Sequence, residues 1–156
     1  MKHSNALMAA VIALSMSPFA FASDTPPAGS TPLSSILNAN ASADSTIVSA
    51  EFDDGLWELE VCATNACEKV YVDPKTGKET RRRAIRNQSR PAAGSVSIAQ
   101  IAAQEEKGGN GTITEIEFDD GRWEVTLDRN GEDSKIWFDA RTGGLGAIRL
   151  DDTPTK

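Results

Sequence analysis

The sequence predicts an α+β protein made of two tandem repeats, each with one helix packed on a three- to four-stranded antiparallel meander sheet. The octet EFDDGLWE returns as EFDDGRWE, and the surrounding tracts align without a gap from Thr46/Thr112 to Gly77/Gly143. Each tract holds strand-like runs separated by turn residues, with an apolar pattern of helical spacing before it. A repeat of this length is a whole supersecondary unit. We therefore predict repeats over residues 31–80 and 95–150.

The first residues predict a secretory signal peptide over 1–22. Lys2 precedes a short apolar run, and Ala20 and Ala22 give the small-residue pattern at which such signals are cleaved. The apolar run is shorter than the roughly 20 residues that a membrane-spanning helix needs. We expect a mature chain that is periplasmic or secreted, with a flexible leader over 23–30 and a frayed tail over 151–156.

Composition excludes several kinds of active site. Removal of the signal peptide removes His3, the only histidine, so Ser-His-Asp sites, Cys-His sites and His-ligated metal sites are not available. A hydrolase that uses two carboxylates would need a deep cleft, for which the sequence gives no sign. The formal charge of −7 disfavours a nucleic-acid partner. We predict a protein that is not an enzyme and has no cofactor and no metal.

Each repeat is predicted to begin with a helix. In the first repeat Thr31 is the expected N-cap and Pro32 the first helical residue. In the second, Ser97 and Gln100 have the spacing of a capping box, and Gly108-Gly109 supplies the freedom that a helix end needs.

The hairpin signals fix the register of the second repeat. We predict strands over 112–118, 122–128 and 134–139, with Asp120-Gly121 and Asn130-Gly131 as turns, because type I′ turns need positive φ at both central residues. The second turn places Trp123 opposite Phe138 and Glu124 opposite Trp137. Trp123, and Trp57 at the matching position, should face the helix of their own repeat.

The same register applied to the first repeat predicts a disulfide. With Thr64-Asn65 as the turn, Cys62 lies directly opposite Cys67 at a non-hydrogen-bonded pair, where Cα atoms approach closely enough for a bridge. Two cysteines so placed in an exported chain favour one disulfide. A redox or zinc site is disfavoured because the spacing is CATNAC rather than C-x-x-C.

The face of the sheet opposite the helices is the predicted contact surface. The register puts Tyr71 and Trp137 on this face beside Glu58 and Glu124. A helix layer on one side leaves the other side uncovered, so these aromatic rings either pack against the sister repeat or anchor a partner. Tyr71, Trp137, Glu58 and Glu124 are therefore the candidate partner-binding residues.

Two charged segments have alternative interpretations. The turns at Asp53-Asp54 and Asp119-Asp120 are explained by turn chemistry alone, and calcium binding is the alternative. The arginine-rich segment 81–94 is predicted as a linker, with a fourth strand at its start as an alternative. Its arginines are either a solvated face or a docking strip for an acidic partner. Residues 144–150 would form the last strand of the second repeat.

The tracts TITEIEFDDGRWEVTLDRNGEDSKIWFDARTG and TIVSAEFDDGLWELEV…KVYVDPKTG resemble the PepSY domain. The shared pattern is a helix, a strand that ends near an acidic-Gly turn, then W-E-V or W-E-L, then a strand that ends in D-x-x-T-G. The resemblance implies an exported, non-catalytic protein that modulates or inhibits another envelope protein, such as a peptidase. It also implies a layout similar to the β-lactamase inhibitory protein. A calcium-responsive envelope module is the alternative function.

Overall fold

The computed structural model describes residues 25–149, with side chains up to residue 146. The order of elements is one helix and four strands, followed by one helix and four strands. The elements are α1 (Leu33–Asn40), β1 (Ser45–Asp53), β2 (Leu56–Ala63), β3 (Cys67–Val72), β4 (Glu79–Ile85), α2 (Ile98–Gly108), β5 (Thr112–Asp119), β6 (Arg122–Asp128), β7 (Asp133–Asp139) and β8 (Leu145–Arg149). The predicted signal peptide and the predicted tail lie outside the described residues.

All eight strands form one antiparallel sheet in the order β4-β3-β2-β1-β5-β6-β7-β8. The strands of the first half (residues 31–85) and the second half (residues 96–149) meet where β1 pairs with β5. There Ala50 lies opposite Ile116, and these residues occupy matching positions of the two aligned tracts. Pairing of a position with its own counterpart is what a local two-fold axis produces. The two halves therefore present one continuous sheet surface.

Both helices pack on the same face of this sheet. Their buried side chains join alternate residues of the strands in a single apolar cluster, in which Trp57 and Trp123 are the largest side chains. Each indole makes an edge-to-face contact with a Phe of the neighbouring strand, Trp57 with Phe52 and Trp123 with Phe118. The prediction that both indoles face the helices is confirmed. Burial of each large apolar side chain contributes about 1.5–3 kcal/mol, so this layer is the main source of stability.

The start of α1 differs from the prediction by one residue. Pro32, not Thr31, is the N-cap, and the N-cap residue makes no side-chain capping bond. Thr31 instead bonds to the turn after β3: its backbone N–H donates to Pro74 O at 2.8 Å and its hydroxyl donates to Lys75 O at 2.8 Å. Because the hydroxyl is used in this way, it is not available to the first turn of the helix.

The start of α2 confirms the prediction. Ser97 is the N-cap, its side chain accepts the N–H of Gln100, and the Gln100 side chain accepts the N–H of Ser97. The C-cap is Gly109, which adopts a left-handed conformation with φ of 63°. The second helix is therefore both longer than the first and better capped.

The hairpin register of the second half is also confirmed. Trp123 pairs with Phe138 and Glu124 pairs with Trp137. Asn130 and Gly131 have φ of 62° and 87°, as a two-residue type I′ turn requires.

The first half contains the predicted disulfide and a fourth strand. Cys62 pairs with Cys67 across β2 and β3, and the two are bonded with a Cα–Cα distance of 4.1 Å. The start of the predicted linker 81–94 lies in the sheet, because residues 79–85 form β4. The predicted last strand corresponds to β8. No helix within residues 25–149 is both long and apolar enough to span a bilayer.

Candidate functional site

The face of the sheet that carries no helix of residues 25–149 is called the open face here. Glu58 lies opposite Tyr71 on this face, and Glu124 lies opposite Trp137 at the matching position of the second half. The four predicted contact residues therefore form two separate pairs, one in each half. The surroundings of the two pairs differ.

In the first half, arginines of β4 cover the aromatic ring. Tyr71 is 4% exposed. The guanidinium carbon of Arg81 lies 3.7 Å from the centre of the Tyr71 ring, and Arg83 Nε donates to the Tyr71 hydroxyl at 2.8 Å. A guanidinium at this distance makes a cation–π contact. A partner can reach the Tyr71 ring only if these arginines move.

In the second half the aromatic ring is partly exposed. Trp137 Nε1 donates to Glu124 Oε2 at 2.8 Å, which fixes the orientation of the indole. The guanidinium carbon of Arg122 lies 6.0 Å from the Trp137 ring centre, at the outer limit of a cation–π contact. Trp137 is thus a positioned aromatic side chain with ring surface available to a partner.

Each glutamate of the two pairs also binds a lysine of the neighbouring strand. Lys69 donates to Glu58, and Lys135 donates to Glu124. Burial by itself would raise the pKa of Glu124. The hydrogen bonds from Lys135 and Trp137 outweigh it, so the pKa of Glu124 lies below its usual range. Glu124 is therefore charged in the folded protein and unites Lys135 and Trp137 in one network.

Three further glutamates occupy the centre of the open face. Glu51 and Glu115 face each other across the β1–β5 pair, and Glu117 faces Glu124 across β5 and β6. Burial raises the pKa of Glu51 and of Glu117, and the charge of Glu115 raises each further. Like charges on adjacent strands destabilise a sheet. The centre of the open face thus holds negative charge that the described side chains do not fully compensate.

An acidic depression of about 530 Å³ lies on the open face where the two halves meet. Five carboxylates line it: Glu51, Asp53, Glu115, Asp128 and Asp133. None of the described residues that line it is basic. A second depression at this junction, about 440 Å³, is bordered by the linker residues Gln88 and Ser89. The backbone N–H of Gln88 donates to Cys67 Sγ at 3.3 Å, so the linker crosses this part of the face.

The aspartates after the third strand of each half serve their own turns. Asp73 Oδ1 accepts the backbone N–H and the hydroxyl of Thr76, and Asp139 Oδ1 does the same with Thr142. These bonds lower the pKa of both aspartates. Within residues 25–149 no group of three or more acidic, Cys or His side chains is arranged to hold a metal ion.

Sequence reasoning missed the residues that cover Tyr71 and those at the centre of the open face. The DPKTG turn could have paired β3 with the arginine-rich strand and so placed Arg81 beside Tyr71. The alternation in the TEIEF tract could likewise have put Glu115 and Glu117 on the same face. No sequence signal indicated that β1 pairs with β5.

Comparison with known proteins yields one family and one solved structure. The fold is similar to the crystal structure of a Clostridium difficile 630 protein described as a "putative lipoprotein", at 17% identity and a TM-score of 0.44, over 68% of this chain and 82% of that one. No protein with a curated description matches significantly. A family model described as "Peptidase propeptide and YPEB domain" matches residues 6–83. The chain therefore belongs to the peptidase propeptide and YPEB domain family, the PepSY family.

Proposed function

We propose that this chain is an exported, non-enzymatic binding module that modulates or inhibits another envelope or secreted protein, such as a peptidase. One observation carries the proposal: the open face combines a partly exposed, oriented Trp137 with an acidic depression at the junction of the two halves. Trp is among the residues that most often supply binding energy at protein interfaces. The family description, which names a peptidase propeptide, supports a regulatory rather than a catalytic role.

The proposed architecture is two PepSY-like units in tandem, over residues 31–80 and 95–150, with a layout similar to the β-lactamase inhibitory protein. The family model covers the whole of the first unit. Extension to the second unit is supported by the repeated order of elements and by the pairing of Ala50 with Ile116. A continuous sheet of this kind offers one broad surface, wide enough for a folded partner protein.

Export is proposed from the signal peptide predicted over 1–22. The mature protein would be located in the periplasm or the extracellular space, where a disulfide such as Cys62–Cys67 persists. The buried position of both cysteines, each 1% exposed, is consistent with a structural rather than a catalytic bridge.

The charge of the open face supports a proposal for the chemistry of the partner. Uncompensated carboxylates at the centre of the face favour a partner surface that carries Lys or Arg near an apolar patch, because complementary charges speed encounter and exclude wrong partners. The apolar patch would contact the Trp137 ring. Binding of this kind weakens as ionic strength rises.

Affinity capture from an envelope extract tests the proposal. The mature chain, Trp137→Ala and Tyr71→Phe serve as baits at low and at high salt. We expect one partner to be retained by the mature chain and by Tyr71→Phe, to be lost with Trp137→Ala, and to be released by salt. Tyr71→Phe is the matched control because it removes only the hydroxyl that binds Arg83. Equal capture by Trp137→Ala would place the contact surface elsewhere.

A further inference from the structure

A cavity on the helix side of the sheet lies at the start of α1. Its volume is about 340 Å³. Trp57 and residues 31–33 form one part of its wall, and Glu106 and residues 111–113 form another. Small-molecule sites range upward from about 300 Å³, so this cavity can hold a compact molecule or one residue of a peptide.

Trp57 carries an unpaired donor in the wall of this cavity. The side chain is 2% exposed, and its Nε1 is buried without an acceptor in the described part of the chain. A buried N–H that lacks a partner loses its bond to water and gains nothing in return, and such groups are rare in folded proteins. Among the described residues, the Trp57 N–H therefore lacks the hydrogen-bond acceptor that a buried donor normally has.

The second half shows what the matching indole binds. Trp123 Nε1 donates to the carbonyl oxygen of Val96 at 2.9 Å. Val96 is anchored by its own N–H, which donates to Ala140 O at 2.8 Å, and Thr31 is anchored in the same way to Pro74 O. Thr31 is therefore the counterpart of Val96. By analogy, the acceptor for the Trp57 N–H is expected at the position of Thr31, which borders the cavity.

The surroundings limit the chemistry of a ligand. The Glu106 carboxylate at the rim accepts the backbone N–H and the hydroxyl of Ser34, and the chain as a whole is acidic. An anionic ligand is therefore disfavoured. The remaining wall is largely apolar and includes Pro26, Leu33 and Ile113. A neutral, apolar ligand with one carbonyl acceptor fits these conditions.

We propose that this cavity binds an apolar residue of a neutral peptide ligand, whose carbonyl oxygen accepts the hydrogen bond of the Trp57 N–H. The bond reproduces the one that Val96 makes with Trp123 in the second half. Trp57 Nε1 is shielded from solvent, so the ligand must displace the Thr31–Pro32 segment slightly to reach it. This site lies on the opposite side of the sheet from the open face and does not depend on the proposed function.

Nuclear magnetic resonance of the indole N–H groups tests the proposal. The ¹⁵N-labelled chain has three tryptophans, and each indole signal is assigned by a Trp→Phe variant. The probe is N-acetyl-leucinamide, a neutral residue with two carbonyl groups. We expect a saturable downfield shift of the Trp57 N–H signal at millimolar probe, an accompanying change of the Thr31 amide, and no shift at Trp123. N-acetyl-leucine, which is anionic at neutral pH, should bind at least threefold more weakly.

Two variants at matching positions provide the control. Thr112→Phe fills the cavity from its exposed rim and should weaken probe binding about tenfold or more. Thr46→Phe alters the matching groove beside Trp123 and should leave binding unchanged. An unchanged Trp123 signal in Thr112→Phe shows that the variant folds. The proposal is overturned if the Trp57 signal does not respond, if Trp123 responds equally, or if Thr112→Phe binds as well as the mature chain.

Discussion

On the open face, matching positions of the two halves carry residues that interact in different ways. In the first half Cys62 and Cys67 form a disulfide under the linker; in the second half Asp128 and Asp133 face each other as like charges. The first half also covers its aromatic ring with arginines, whereas the second half leaves Trp137 partly exposed. The same backbone arrangement therefore has a covered aromatic ring in the first half and a partly exposed one in the second. This difference supports the proposal that the second half supplies the contact surface, whereas the disulfide stabilises the first half.

Removal of the disulfide should give the largest loss of stability on the open face. The double variant Cys62→Ala/Cys67→Ala should lower the free energy of unfolding by roughly 2 kcal/mol, since the bridge closes a short loop and so constrains the unfolded chain little. Urea denaturation measures it, and reduced wild-type protein provides the control. Hydrogen exchange at Gln88 should quicken as well. Unchanged stability would contradict a stabilising role for the bridge.

The two buried indoles should differ in the cost of losing their N–H. Trp57→Phe and Trp123→Phe remove the same atoms, but only Trp123→Phe breaks a hydrogen bond and leaves the Val96 carbonyl without its partner. Trp123→Phe should therefore cost about 1 kcal/mol more than Trp57→Phe. Thermal and urea denaturation of the pair measure the difference. Equal costs would mean that the bond to Val96 contributes nothing to stability.

The contributions of Glu117 and Glu124 to the stability of the fold should change with pH in opposite directions. The pKa of Glu117 is raised by burial and by the charge of Glu115. The ionised form of Glu117 therefore destabilises the fold above that pKa. This destabilisation disappears as pH falls toward the pKa of a Glu in the unfolded chain. Glu117→Gln should therefore stabilise the fold by less than about 1 kcal/mol at pH 7, with a smaller gain near pH 4.

Glu124→Gln is the matched control for Glu117→Gln. The pKa of Glu124 is lowered, so its ionised form stabilises the fold, and this contribution is present above the unfolded pKa and lost as pH falls through the folded pKa. The variant should be less stable than wild type at neutral pH, and the deficit should shrink in acid. Urea denaturation at several pH values checks both variants. The same sign of effect for both would overturn the assigned electrostatics.

The aspartate pair should give the smallest effect. Asp133→Asn removes one of two like charges that face each other, and Asp128 keeps its bond from the Gly131 N–H. We expect a gain of a few tenths of a kcal/mol, typical of a cross-strand charge pair. Thermal denaturation at low salt measures it, with Asp119→Asn as a control outside the pair. A loss of stability would contradict the repulsion assigned to this pair.

Short-range patterns predicted most of the fold. Turn dipeptides have narrow backbone requirements, so Asn130-Gly131 fixed the register that places Glu124 beside Trp137. The capping box predicted the start of α2 for the same reason. The start of α1 was shifted by one residue because the Thr31 hydroxyl bonds across the fold to Lys75 O, a contact that no local pattern encodes. The pairing of Ala50 with Ile116 is also long-range and was not predictable.

The sequence predicted which face of the sheet carries the candidate site, but it did not predict which aromatic rings on that face are exposed. Strand alternation put Tyr71 and Trp137 on one side of the sheet. Arg81 of the outer strand lies over the Tyr71 ring, whereas the Arg122 guanidinium is 6.0 Å from the Trp137 ring and Trp137 is partly exposed. The two sequence-matched aromatic residues thus have different surroundings because of charged residues on the neighbouring strands.

The dissociation constant of the captured partner for Trp137→Ala tests the central claim most directly. A Trp at the centre of an interface contributes about 2 kcal/mol or more, so binding should weaken roughly thirtyfold or more. The melting temperature should fall far less than in Trp123→Ala, which removes a core side chain at a cost of about 3–5 kcal/mol. An unchanged dissociation constant, together with a fall in melting temperature as large as that of Trp123→Ala, would contradict the account and place Trp137 among the structural residues.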